Sequence, residues 1–316
     1  MPAGAPTVVI VGPTATGKSD LAVQLALRLG GEVVNADAMQ LYRGMDVGTA
    51  KLPTVERRGI PHHQLDVLDV TETASVAAYQ RAARAALCDI AARGRLPLLV
   101  GGSGLYVSAV LQPLDFPGTD PELRAGLEAE LAAAGATALH TRLADLDPDA
   151  AAAILPTNGR RIVRALEVIA LTGAPFRARL PSPPAPADLD PVRTRPATVI
   201  GLDLDRTVLD ARITDRVDRM WRSGLVAETR RLVAAGLRRG TTAPRALGYA
   251  QVLDLLDGRL NDQAAVAAIV AATRRFARRQ QSWFRRDRST VWLPADAPDL
   301  LDRALAGVLS APSVTA

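Results

Sequence analysis

Short unbroken apolar runs alternate with helically spaced ones along the first third of the chain. Residues 7–11 (Thr-Val-Val-Ile-Val) are apolar and β-branched with no polar alternation. That pattern predicts a strand buried on both faces of a parallel sheet. A glycine-bearing turn occupies residues 12–19. Leu21, Leu25 and Leu29 then recur at helical spacing, with Gly30 as a stop signal. Residues 32–36 predict a second buried strand ending at Asp37. Residues 76–93 predict an Ala-rich helix closed by Gly94, and residues 96–100 a third strand followed by Gly101 and Gly102. Strands alternating with helices predict a doubly wound parallel sheet.

From residue 121 to 179 the pattern is helical, with no convincing strand. Pro121 opens a helix to about residue 134, and Pro148 opens a short one. Residues 160–171 predict a third, with Ile162, Val163, Leu166 and Ile169 on one side and Arg160, Arg161 and Arg164 as its cations. Six prolines in residues 181–196 predict an extended connector. Residues 198–202 return to the buried-strand pattern. Helices are expected at 207–224, 227–235 and 263–286. No internal repeat of fixed period is present.

Composition sharpens this picture further. Apolar residues make up 48% but aromatics only 3%, so the core must be built from Ala, Leu and Val. The net charge is +5, and Lys18 and Lys51 are the two lysines, so the excess is arginine. This excess is compatible with a nucleic-acid partner without establishing one. Cys88 stands alone in a helical stretch and is expected to be a small core residue. His62, His63 and His140 are not spaced as metal ligands, so a structural metal is not expected. With no targeting segment and no membrane-spanning window, the reading is a cytoplasmic, soluble protein with no membrane and no obligate protein partner.

Residues 12–19 carry the chemistry. Gly12, Pro13, Thr14, Ala15, Thr16, Gly17, Lys18 and Ser19 match G-x-x-x-x-G-K-[ST] at every fixed position. Glycines let the backbone wrap phosphate oxygens with its N–H groups pointing inward, and the next helix adds its positive end. Lys18 neutralises phosphate charge, and the Ser19 hydroxyl can ligate Mg²⁺. The strand before and the helix after are both present. The fold class expected is therefore α/β, a P-loop NTPase-like parallel core of residues 1–116 and 197–316. The helical insertion would be 117–180 and the connector 181–196. The loop alone fits ATP as well as a pyrophosphate.

Beyond the loop, the sequence resembles bacterial tRNA dimethylallyltransferases over nearly its whole length. The likeness is carried by the loop and by Asn35-Ala-Asp-Ala-Met-Gln-Leu-Tyr-Arg-Gly-Met-Asp-Val-Gly-Thr-Ala-Lys51. It continues with Pro61-His-His-Gln-Leu-Asp66, Gly101-Gly-Ser-Gly-Leu-Tyr106, Arg160-Arg-Ile-Val-Arg-Ala-Leu-Glu-Val168 and Thr273-Arg-Arg-Phe-Ala-Arg-Arg-Gln-Gln-Ser-Trp-Phe-Arg285. The resemblance implies transfer of a dimethylallyl group from its pyrophosphate to the exocyclic amine of the adenosine immediately 3′ of the anticodon. It also implies the bacterial form, without the zinc finger of eukaryotic relatives. Two positions depart from the common pattern. Ala38 stands where the family commonly has Ser, and Ser103 where it commonly has Thr.

By resemblance, Asp37 is the general base and orients the adenine. Arg216 reaches the bridging oxygen of the pyrophosphate, and Ser103 bonds near the amine or the pyrophosphate. The tRNA anticodon stem-loop is expected to meet Asp37, Ala38, Met39, Gln40, Ser103, Arg160, Arg161, Arg164, Arg245 and Gly248. One of the arginines at 160–164 could instead pair with Glu167. Phe276, Trp283 and Phe284 interleave the arginines of 274–288 and are expected to pack that helix onto the sheet rather than bind RNA. Three alternatives stay open: an ATP-dependent small-molecule kinase, an adenylate isopentenyltransferase, and a non-enzymatic RNA-binding module. Intact Lys18, Ser19 and Asp37 argue against the last.

Overall fold

The computed structural model describes residues 7–112, 114, 116–176 and 197–310. The connector expected at 181–196 lies outside the described residues. Two compact units form: residues 1–113 with 189–316, and residues 114–188. The first unit begins with β1 (Thr7–Val11), α1 (Lys18–Leu29), β2 (Gly31–Asn35), β3 (His62–His63), α2 (Val76–Ala92), β4 (Leu96–Val100) and α3 (Gly104–Leu111). The second contains α4 (Pro121–Leu146), α5 (Pro148–Ala153) and α6 (Gly159–Thr172). The chain then returns to the first unit with β5 (Ala197–Asp203), α7 (Arg206–Arg222), α8 (Leu225–Ala234), α9 (Tyr249–Leu256), α10 (Asp262–Phe284), β6 (Val291–Pro294) and α11 (Leu300–Leu309).

The sheet has six strands in the order β3-β2-β4-β1-β5-β6, with every neighbouring pair parallel. β1 is central and wholly buried, which explains its lack of polar alternation. Val8 and Ile10 pack with Leu21 and Leu25 of α1 on one face. Val9 and Val11 pack with Leu87 and Ile90 of α2 on the other. Each large buried aliphatic contributes about 1.5–3 kcal/mol relative to exposure. In open parallel sheets ligands gather at the carboxyl ends of the strands. There the loop after β1, Asp37 after β2 and Gly101 after β4 come together.

Several elements differ from expectation. α4 runs on past residue 134 to Leu146, across a non-helical Gly135 (φ 82°, ψ 166°). Its later half buries Leu139 and Leu143 with Ile162 and Leu166 of α6. β3, α3, α9, β6 and α11 carried no strong sequence signal: β3 is two histidines, and β6 ends on a proline. Cys88 is exposed, not core. The buried stripe of α2 runs through Tyr79, Ala83, Leu87 and Ile90, and Cys88 points away from it.

A buried acid staples the sheet edge. Glu32 of β2 is only 5% exposed and accepts from both terminal nitrogens of Arg93, while His63 Nε2 lies 2.8 Å from its Oε2. Arg93 foremost, with help from His63, overcomes desolvation and holds the carboxyl down to about 2, from an ordinary 4.5. A depressed folded-state pKa gives stability that is present above 4.5 and lost as pH falls towards 2. Glu32→Gln should therefore flatten the acid limb of the melting temperature against pH in that window. An acid limb identical to wild type would remove Glu32 from acid unfolding.

Candidate functional site

The phosphate loop is shaped by its backbone. Gly12 has φ 140°, and a Cβ there would stand 2.5 Å from the Leu202 carbonyl oxygen on β5. Only glycine lets the loop leave β1 this close to its neighbour. Ala15 follows with φ 67°, a left-handed conformation that costs about 1–2 kcal/mol in a residue with a Cβ. The Thr16 hydroxyl donates to the Pro13 carbonyl at 2.9 Å, and the Lys18 ammonium donates to the same oxygen at 2.7 Å. The N–H groups of Ala15, Thr16 and Gly17 have no acceptor among the described residues, and the first turn of α1 adds further unsatisfied donors. The loop is thus a cradle of positive ends.

Opposite the cradle lie the carboxylate and guanidinium expected from the sequence. Lys18, Ser19, Asp37, Gln40 and Arg216 line one cavity of about 450 Å³, with Asn35, Thr49, Gly102, Arg212, Asp215, Arg219 and Gln280. Its size falls in the range of small-ligand sites. Burial lowers the Lys18 pKa to about 7; Arg216 adds to the effect and Asp37 opposes it. Arg216 is also lowered, by desolvation, with Asp37 opposing and Arg219 assisting. Cations crowded in low dielectric define a place where negative charge is favoured.

Asp37 is held rigidly. Its Oδ1 accepts the Met39 N–H at 2.9 Å, its own N–H donates to Asn35 Oδ1 at 3.1 Å, and Asn35 Nδ2 donates to the Asp37 carbonyl at 3.1 Å. Ser103 stands at the N-terminal boundary of α3 without capping it, and its Oγ instead accepts the Ala38 N–H at 3.1 Å. Its hydroxyl therefore anchors the segment after Asp37. Ala38 packs on the sheet core and Met39 on the helical core, whereas Gln40 faces the cavity and donates to the Thr49 carbonyl at 3.2 Å.

The remaining expected residues are elsewhere. Arg245 is exposed at the end of a 3-10 turn, and Gly248 is buried at the start of α9. In the second unit Arg160 is exposed and Arg161 half-buried. Arg164 donates to Glu167 at 2.8 Å and to the carbonyls of Pro117 and Gly118 at 2.6 and 3.0 Å. Glu167 is fully buried and is also paired with Arg124 at 3.0 Å. On α10, Phe284 joins the core beneath the sheet and Trp283 packs against it.

Sequence reasoning missed Gln280. Its Oε1 accepts the Thr14 N–H and its Nε2 donates to the Gly102 carbonyl, both at 2.9 Å. It joins the phosphate loop to the turn after β4. The signal was its place inside the motif at 273–285. Asn35, which opens the second motif, was missed in the same way.

A central strand feeding a phosphate cradle, with an acid and cations facing it, defines a P-loop-like α/β enzyme core. The IPP transferase family matches residues 40–287, and the isopentenyl transferase family residues 6–70. The chain is 63% identical over 304 residues to the tRNA dimethylallyltransferase of Thermobifida fusca (strain YX), a match spanning 95% of this chain and 93% of that one. Among solved structures it is similar to the full-length tRNA isopentenylpyrophosphate transferase of Bacillus halodurans. That match has 41% identity and a TM-score of 0.69, over 96% of this chain and 97% of that one. A eukaryotic dimethylallyltransferase acting on tRNA matches at 25% identity and a TM-score of 0.79, over 98% and 81%. The chain belongs to the IPP transferase family, as a tRNA dimethylallyltransferase. No helix among the described residues is long and apolar enough to cross a membrane.

Proposed function

We propose that the protein transfers a dimethylallyl group from dimethylallyl pyrophosphate to the exocyclic amine of the adenosine immediately 3′ of the tRNA anticodon. The observation that carries this reading is a single cavity lined by Asp37, Lys18 and Arg216. The allylic carbon–oxygen bond breaks, a carbon–nitrogen bond forms, and pyrophosphate leaves. The loop N–H groups, Lys18 and Arg216 stabilise the charge that develops on the pyrophosphate. Asp37 accepts the amine proton, using the oxygen that does not cap Met39. The target base must leave its stack to enter the cavity, where Gln40 offers an amide to it.

The exposed Ser19 hydroxyl is a hard oxygen donor lining this cavity, and no protein group engages it among the described residues. That fits Mg²⁺, which takes few protein ligands beside phosphate oxygens. When bound, the ion would neutralise pyrophosphate charge.

Arg160 and Arg161 on α6 favour a polynucleotide acceptor over the free nucleotide of an adenylate isopentenyltransferase. Replacing both by Ala should weaken tRNA binding and reduce its salt slope by ~1 per lost phosphate contact. Arg164→Ala should instead lower the melting temperature, because it strips a partner from buried Glu167. An unchanged salt slope in the folded double variant would remove α6 from the RNA interface. The reading as a whole is tested with labelled dimethylallyl pyrophosphate or ATP, each with and without tRNA. Label should enter RNA from the prenyl donor. Phosphoryl transfer from ATP to a small acceptor would favour a kinase.

A further inference from the structure

The segment from Gly44 to Lys51 has no regular structure, yet it forms one wall of the cavity through Thr49 and Ala50. Three successive N–H groups in it, those of Asp46, Val47 and Gly48, point away from the cavity. They converge on one carboxylate. Glu228 of α8 is 2% exposed; its Oε2 accepts Asp46 N at 3.2 Å and Val47 N at 2.8 Å, and its Oε1 accepts Gly48 N at 3.2 Å. The Tyr249 hydroxyl donates to Oε1 at 2.6 Å. Burial and the neighbouring carboxylate push the Tyr249 phenol well up, so it remains a donor. The hydroxyl end of the Tyr249 ring abuts Gly48, where a Cβ would meet it at 2.5 Å.

The opposite side of this turn faces the chemistry. The Thr49 carbonyl, one residue beyond the Glu228 contacts, accepts from Gln40 Nε2 at 3.2 Å and from Arg216 Nη2 at 3.3 Å. No ion pair holds Arg216 among the described residues, so this carbonyl is its polar anchor there. Lys51 fixes the far end of the turn, donating to Asp46 at 2.6 Å, Asp66 at 2.5 Å and the Tyr42 carbonyl at 2.9 Å.

We propose that Glu228 is a positioning residue for prenyl transfer: it sets the Asp46–Gly48 turn so that the Thr49 carbonyl orients Arg216. The proposal rests on the reading that Arg216 meets the pyrophosphate. A buried carboxylate satisfied by four donors gives one rigid geometry, and a misplacement of about 1 Å in a reacting group can cost up to ~10²-fold in rate.

Glu228→Gln keeps the size of the side chain but presents an amide NH₂ where an N–H or the phenol must donate. Its kcat is expected to fall ~10- to 100-fold. KM for dimethylallyl pyrophosphate should change less than kcat, because the phosphate loop is untouched. The decisive comparison combines Glu228→Gln with Arg216→Gln. If Glu228 acts through Arg216, the double variant loses no more than Arg216→Gln alone. Multiplying losses, or wild-type kcat in a folded Glu228→Gln protein, would overturn the proposal. If Glu228→Gln does not fold, Tyr249→Phe tests the same coupling with one donor removed, and additive losses there overturn it equally. Wild-type kcat in Arg216→Gln alone would instead show that the reading of Arg216 itself has failed.

Discussion

Asp37→Asn is expected to lower prenyl transfer by ~10²–10⁴-fold, the usual cost of losing a general base. Asparagine keeps an oxygen to accept the Met39 N–H, the contact Asp37 makes at 2.9 Å. The turn that ends β2 therefore survives, as do the two bonds between residue 37 and Asn35 and the bond the Ala38 N–H donates to Ser103. Binding of the prenyl pyrophosphate should be largely unchanged, because its phosphates are held by the loop after a different strand. Asp37→Ala removes cap and base together and should lose the same activity with an added loss of stability. Near-wild-type turnover in the Asn variant would remove Asp37 from proton transfer.

Lys18→Ala should fail differently. Its ammonium meets phosphate in both ground and transition states, so KM should rise and kcat fall together. Loss of one such charge-stabilising donor costs ~10²–10³-fold in kcat. The fold should not suffer. The Pro13 carbonyl that Lys18 contacts also accepts from the Thr16 hydroxyl at 2.9 Å. Burial lowers the Lys18 pKa to about 7, which means the folded state disfavours its charge. The melting temperature near neutral pH should therefore hold or rise, as expected where function is kept at a cost in stability. A change confined to tRNA affinity would contradict the role given to this loop.

How much of this was legible in the sequence depended on how local each feature is. The phosphate loop was legible because its geometry is contained in eight consecutive residues between a strand and a helix. Asp37 was legible because a strand visibly ends just before it. Arg216 was not: α7 also carries Arg206, Arg212, Arg219 and Arg222, and charge alone does not choose among them. Only the family resemblance singled it out. Gln280 and Glu228 were out of reach because their partners are 266 and about 180 positions away, brought close by the parallel crossovers. For Arg164 the sequence leaves open an RNA contact or pairing with Glu167 three residues on, and in the fold it pairs with Glu167 at 2.8 Å. The two positions that depart from the family pattern touch in the fold: the Ala38 N–H donates to the Ser103 hydroxyl.

The central claim is that one cavity brings an allylic pyrophosphate to a single adenosine. It is tested most directly by locating the product. Wild-type protein is incubated with labelled dimethylallyl pyrophosphate, Mg²⁺ and an anticodon stem-loop, and the RNA is digested to nucleosides. Label is expected on the exocyclic amine of the adenosine immediately 3′ of the anticodon, and should vanish when guanosine replaces that base. Label on another nucleoside, or undiminished label after the replacement, would contradict the account.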